Sequence, residues 1–317
     1  MKSMSTQTKM NYEVDDTWGE RIVLAGIGDV GGIGIDQNDN AYVFNRGPDP
    51  MIVLDPDGTV IARWGHDLFE QAHGVQMGPD ETLYLTDSGN HTLTRCTLEG
   101  KVLLRIGLPG VKSEYMSGKP FNRCTHSALS PEGDIYISDG YGNAAVHKYT
   151  SSGSHLFSWG GPGVEPGNFN IPHNIACDED GLVYVADRES HRVQVFDGNG
   201  QYITQWNNLH RPCAFFYDSQ RSQFIVGEAG PGMPINLHMP RLGSRLVFLD
   251  SEGVIQSTWG SQKIGEGPDE FLAPHGVAVD SVGRLYLGEV SRIAWPDYFA
   301  EPVPEHLRTI RRLLPGI

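Results

Sequence analysis

Apolar and polar residues alternate along most of this chain in short runs, broken by polar turns that carry glycine, which is the period of half-buried β-strands and not of helices. Two phrases recur. In one, a polar turn leads into a strand that ends in an acid: Leu83–Asp87, Ile135–Asp139, Val183–Asp187 and Leu285–Glu289. In the other, a strand, a glycine turn and a second strand end in Trp-Gly or a close variant, at 52–65, 146–160, 193–207 and 246–260, with a weaker copy at 93–107. Together they make a four-stranded unit of about 50 residues, the mark of a propeller blade. Starts near Gly32, His73, His126, His173, Cys213 and His275 predict an all-β fold, a six-bladed β-propeller.

The last blade is short of a strand, because Leu307–Leu313 is the one candidate after Glu289. Tyr12–Gly19 (YEVDDTWG) has the form of the other outer strands and is expected to close the ring from the N-terminus. Closure removes the free sheet edges that invite aggregation. This reading makes 12–317 one domain, with 1–11 a flexible segment outside it and Gly230–Pro240 an insertion in blade five.

Each acid-ended strand is preceded by a histidine phrase: His73-Gly74-Val75, His126-Ser127-Ala128, His173-Asn174-Ile175 and His275-Gly276-Val277. His73, His173 and His275 fall on blades two, four and six, so equivalent positions would bring three imidazoles to the central axis. Three imidazoles with one position left open form the ligand set of a catalytic zinc site. His126 sits in a repeat one residue shorter, which leaves open a structural role, a contact to the ligand histidines or a contact to substrate. His91 and His191 belong to another phrase, Gly-Asn-His-Thr-Leu and Glu-Ser-His-Arg-Val, the Asn-His-Leu signature of NHL repeats, and are expected to be structural.

The net charge of −15 argues against a nucleic-acid or anionic-membrane surface and does not by itself identify a partner. Oligomeric state is not legible. No apolar run is long enough to span a bilayer, and the polar start lacks the apolar core of a secretory signal. Four cysteines, Cys96, Cys124, Cys177 and Cys213, lie in separate repeats with no CxxC pair, so free thiols and a cytoplasmic location are expected.

Residues 169–196 (FNIPHNIACDEDGLVYVADRESHRVQVF) closely resemble the peptidyl-α-hydroxyglycine α-amidating lyases, six-bladed NHL propellers, in the segment that carries one zinc histidine and an Ala-Asp-Arg-Glu motif. Residues 137–143 (ISDGYGN) are similar to the family's catalytic-tyrosine motif, and 41–47 (AYVFNRG) to its first-blade arginine stretch. The resemblance covers most of residues 20–290. It implies zinc on His73, His173 and His275, Tyr141 as catalytic base, and a small-molecule, carboxylate-bearing substrate with Arg46 and Arg188 around its carboxylate and reacting centre. It also implies cleavage of the C–N bond of a hemiaminal, N–C–OH, to an amide and an aldehyde such as glyoxylate. Zinc on the hydroxyl would lower its pKa. A phenol works as a base near neutrality when a cation or metal favours its ionised form.

The chain departs from the family at Gly142, where a disulfide cysteine is expected, and at Gly276, where the family has an aspartate that helps hold a structural calcium; the resemblance therefore gives calcium no support. Ala273 replaces a methionine of the pocket wall. Two other readings fit a six-bladed propeller: a metal-dependent hydrolase of lactonase type, and a non-catalytic NHL binding scaffold. Lactonase-type sites use oxygen ligands for calcium, whereas imidazole suits zinc. The fold by itself does not exclude a scaffold.

Overall fold

A computed structural model describes residues 12–18, 26–237 and 239–316. The segment 1–11 and Gly19 lie outside the described residues. Six four-stranded antiparallel sheets surround an axis, five of them in simple chain order. The sixth takes its outermost strand, β1 (Tyr12–Val14), from the N-terminus, where it pairs with β24 (Ile310–Pro315) in the register Tyr12↔Pro315 to Val14↔Leu313. The innermost strands are β2 (Val30–Ile35), β6 (Ala72–Met77), β10 (Cys124–Leu129), β14 (Pro172–Cys177), β18 (Pro212–Asp218) and β22 (Pro274–Val279). Their partners are β3 (Ala41–Asn45), β7 (Leu83–Asp87), β11 (Ile135–Asp139), β15 (Val183–Asp187), β19 (Gln223–Glu228) and β23 (Leu285–Glu289). The expected acid-ended strands thus have the bounds read from the sequence.

Neighbouring blades lock through one recurrent contact. A tryptophan at the outer edge of a blade lies on the hairpin glycine of the next: Trp64 on Gly100, Trp159 on Gly200, Trp206 on Gly253 and Trp18 on Gly58. Those glycines have positive φ, and an added Cβ would approach the indole to 2.2–2.8 Å, so turn geometry and the flat ring both require glycine. Trp18 makes this contact for blade six from a helical turn at 16–18, because β1 ends at Val14 and is shorter than the strand expected over Tyr12–Gly19. Trp18 is 1% exposed and packs edge-on to Tyr286, while Arg312 bridges its ring and the Asp15 carboxylate at 2.6 Å. Trp18→Ala removes a large buried side chain at the seam and should cost about 3–5 kcal/mol by urea denaturation. Glu13→Ala, on the same segment but exposed, should cost less than about 0.5 kcal/mol.

The other elaborations gather on one rim. The 230–240 insertion, between β19 and blade five's third strand, carries a short 3-10 turn at Pro234–Asn236. A helix, α1 (Ser291–Tyr298), lies between β23 and β24. The alternation pattern missed this helix, which has Pro296 inside it and a weak apolar face. The last strand lies at Ile310–Pro315, so the expected Leu307–Leu313 is shifted toward the C-terminus by the loop that follows the helix. Among the described residues no helix is long and apolar enough to cross a membrane.

Candidate metal centre

All six inner strands carry a β-bulge at the same place. Pairing skips one residue between Val30 and Gly32, Ala72 and Gly74, Cys124 and His126, Pro172 and Asn174, Pro212 and Ala214, and Pro274 and Gly276. A bulged residue leaves the ladder and its side chain is re-aimed. The ring of bulged residues runs Gly31, His73, Thr125, His173, Cys213, His275, so a histidine alternates with a smaller residue. Each histidine uses the smaller neighbour: His73 Nδ1 donates to the Thr125 carbonyl (2.6 Å), His173 Nδ1 to that of Cys213 (3.0 Å) and His275 Nδ1 to that of Gly31 (2.7 Å). Placing the proton on Nδ1 fixes the tautomer and leaves the Nε2 lone pair free.

The three rings meet with centroids 4.5, 4.8 and 4.9 Å apart, and one ligand atom from each lies within 4.8 Å of the others. All three are at most 3% exposed. Burial, then the neighbouring rings and Arg46, holds His73 well below its usual pKa; burial and Arg188 do the same for His173, and burial and Arg46 push His275 to about 3. Neutral, tautomer-fixed imidazoles are the form that ligates a metal. Three buried histidines here can form a metal site.

The strand-ending acids explain why the bulges are so regular. Asp87 accepts from the Glu70 and Gln71 amides (2.7 and 2.9 Å), Asp187 from Asn170 (2.7 Å) and Glu289 from Leu272 (2.8 Å). Each carboxylate thereby ties down the loop that enters the histidine's strand. Asn45 does the same in blade one through Gly28.

Thr125, not His126, is the blade-three member of the ring, which corrects the blade start read at His126; the corresponding blade-one position is Gly31 and not Gly32. His126 is one residue further on and lines a cavity of about 250 Å³ inside the channel, with Gln76, Met77, Phe216 and Tyr217. Its Nδ1 faces the Ser127 carbonyl at 2.9 Å. It is not in the ligand cluster.

Tyr141 follows β11 by two residues, and its hydroxyl lies 3.1 Å from His73 Nε2 and 3.0 Å from His173 Nε2. Arg46 and Arg188 hold equivalent places, the residue after the second strand in blades one and four. Arg46 Nε donates to the Ala72 carbonyl, beside His73, at 3.1 Å. Arg188 packs its guanidinium 5.6 Å from the centre of the Tyr141 ring and is paired with Glu189 at 2.8 Å. Two residues absent from the sequence-based set join them. Arg123 lies 4.9 Å from the centre of the same ring, and the Cys213 thiol, pushed up in pKa by burial, lies 3.5 Å from His173 Nδ1. Cys213 was legible only as a blade start, since no motif marks it.

His91 and His191 are structural, as expected. Each sits at φ near +57° and takes up, through Nδ1, the backbone N–H of an arginine in the next blade: Arg123 at 3.0 Å and Arg211 at 3.3 Å. At Gly142 an added Cβ would stand 2.1 Å from Asn122 Oδ1 and 2.7 Å from its carbonyl oxygen, so the family's cysteine does not fit this backbone. At Gly276 a Cβ would meet the Gly32 Cα at 2.8 Å, leaving no room for the family's aspartate. Cys96, Cys124, Cys177 and Cys213 are all free.

The NHL repeat family model matches residues 169–196, the stretch that includes His173, Arg188 and His191. NHL repeat-containing protein 3 of Homo sapiens is 30% identical over 269 residues, covering 80% of this chain and 74% of that protein. The chain belongs to the NHL-repeat family. Within that family it is also similar to peptidyl-alpha-hydroxyglycine alpha-amidating lyase 1 of Drosophila melanogaster, 29% identical over 304 residues, or 87% of this chain. This NHL-repeat chain spans only 54% of the length of that lyase. In fold alone it is similar to a catalytically inactive variant of virginiamycin B lyase from Staphylococcus aureus, with a TM-score of 0.57 and 14% identity over 89% of this chain and 82% of that one.

The buried histidines also set an acid limit. His126 and His210 are both held near pKa 4, chiefly by burial, with His191 adding to the effect on His210. A group whose folded pKa is depressed contributes stability that is present above its unfolded pKa, near 6.5, and lost as pH falls toward the folded value. The metal-free protein should therefore lose urea resistance between pH 6.5 and pH 5, by up to about 1.4 kcal/mol per pH unit for each such group. The His126→Gln, His210→Gln double variant should show a flatter profile in the same titration.

Proposed function

We propose that this protein is a zinc-dependent carbon–nitrogen lyase that splits a small α-hydroxyglycine-type substrate, R–CO–NH–CH(OH)–COO⁻, into an amide and glyoxylate. The observation that carries this reading is the Tyr141 hydroxyl at 3.0–3.1 Å from two of three convergent, neutral Nε2 atoms, with Arg46 and Arg188 alongside. His73, His173 and His275 would hold the metal, and an all-imidazole donor set suits zinc far better than calcium. Bound there, zinc supplies Lewis-acid polarisation of the substrate hydroxyl.

The chain's own residues do the rest. Arg46 and Arg188 bind the carboxylate and orient the hydroxyl-bearing carbon toward the triad. Tyr141 takes the hydroxyl proton. The oxygen's electron pair then forms the aldehyde C=O as the C–N bond breaks, and the departing nitrogen takes a proton to become the amide. Atoms and charge balance with no oxidant or added water. The name of the Drosophila relative supports the substrate class. An NHL-repeat propeller is also compatible with a protein that binds without reacting, so turnover is the deciding measurement. Glyoxylate release from α-hydroxyhippurate by the zinc-loaded chain tests the reading, and zinc-loaded protein that releases no aldehyde from any N-acyl-α-hydroxyglycine would sink it.

A further inference from the structure

Arg123 and Arg211 are repeat counterparts. Each stands two residues before a bulged residue of the axial ring, each has positive φ, and each has its backbone N–H held by an NHL histidine of the preceding blade. Their guanidinium groups have opposite fates. Arg211 is neutralised by Glu189, with contacts of 2.8, 3.0 and 3.3 Å, and also donates to the Gly230 carbonyl. The residue that corresponds to Glu189 in the blade before Arg123 is Gly89, two after the strand-ending Asp87 as Glu189 is two after Asp187. Among the described residues, Arg123 has no carboxylate partner. It rests on the face of Tyr141, close enough to Arg46 for the two positive charges to oppose each other.

This cation, placed against like charge and without the ion pair of its repeat twin, has no carboxylate at ion-pair distance among the described residues. The space beside Gly89 is filled by the Glu70 side chain, which does not pair with Arg123. We infer that the ligand supplies the counter-ion: Arg123 is a specificity residue for a second anionic group, on the acyl side of a substrate whose glycine carboxylate is held by Arg46 and Arg188. The inference rests on the lyase reading for the placement of the first carboxylate. Arg123 is exposed, so its contribution is that of a partly solvated ion pair, a few-fold in affinity, and is reduced by salt.

Three glycines that lack the reacting hydroxyl separate this effect from catalysis: N-butyrylglycine, its dianionic analogue N-succinylglycine, and N-(phosphonoacetyl)glycine. With the zinc-loaded full chain at low ionic strength, calorimetry should give the two ligands with an anionic acyl group about fivefold tighter binding than N-butyrylglycine. Preference for one of the two identifies the second group as carboxylate or phosphonate-like. Arg123→Gln should erase that advantage with N-butyrylglycine binding unchanged, and Arg123→Lys should keep most of it. Equal affinity for neutral and anionic acyl groups, equal losses for all ligands in Arg123→Gln, or no binding of any of them overturns the assignment. Turnover of N-succinyl-α-hydroxyglycine is scored separately: retained ligand preference without aldehyde release overturns the lyase and leaves Arg123 as a selector of dianions.

Discussion

Tyr141→Phe is expected to keep its metal at wild-type stoichiometry and to lose turnover of α-hydroxyhippurate by a factor of about 10²–10⁴, the span of a positioned proton-transfer group. The substitution removes one oxygen atom and nothing that shapes the fold. The ring keeps its contacts with the Arg123 and Arg188 guanidinium groups, and the triad's Nδ1 bonds to backbone carbonyls do not involve it. If Tyr141 takes the hydroxyl proton, the loss falls on kcat, with KM for the carboxylate-bearing substrate little changed. Metal analysis beside steady-state kinetics checks both halves, and unchanged kcat would remove Tyr141 from the mechanism.

His173→Ala should take the metal content from about one zinc per chain to near zero after dialysis, and activity with it. The variant leaves two imidazoles on blades two and six, and it orphans the Cys213 carbonyl that His173 Nδ1 caps at 3.0 Å. Leaving a buried acceptor unpaired costs about 1–3 kcal/mol, so a lower urea midpoint should accompany the metal loss. His126→Ala is the informative contrast. It removes an imidazole only one register position off the ring, and should retain the metal. Retention of zinc by His173→Ala, or its loss in His126→Ala, would show that the bulged ring is not the ligand set.

Much of the fold was legible because blade strands repeat their chemistry as well as their period. The acid that ends four of the second strands and the tryptophan near the end of most outer strands were visible as phrases, and both proved to be contacts: the acid pins the loop entering the axial strand, and the tryptophan sits on the next blade's turn. That is why Tyr12–Trp18 could be assigned to the last blade across nearly the whole length of the chain. The helix Ser291–Tyr298 was not legible, since a short helix with an internal proline has too little apolar periodicity to stand out.

Among the site residues, His73, His173 and His275 could be set apart by their spacing on alternate blades, while Tyr141, Arg46 and Arg188 took their roles from similarity to a family. His126 shares the histidine phrase, and a linear pattern does not distinguish a residue in the bulge from one just past it. The bulge is a property of two paired strands, so it exists only once β10 has found β11. The pairing of Arg211 with Glu189 and the absence of a carboxylate beside Arg123 likewise depend on loops from consecutive blades meeting at the rim. Sequence alone determined the number of blades, the ring closure and the residue types available at the axis, because strand alternation and turn chemistry are local. Tertiary structure decided which imidazoles converge, which carbonyl fixes each tautomer and which arginine is left for a ligand, because each of these is a contact between blades.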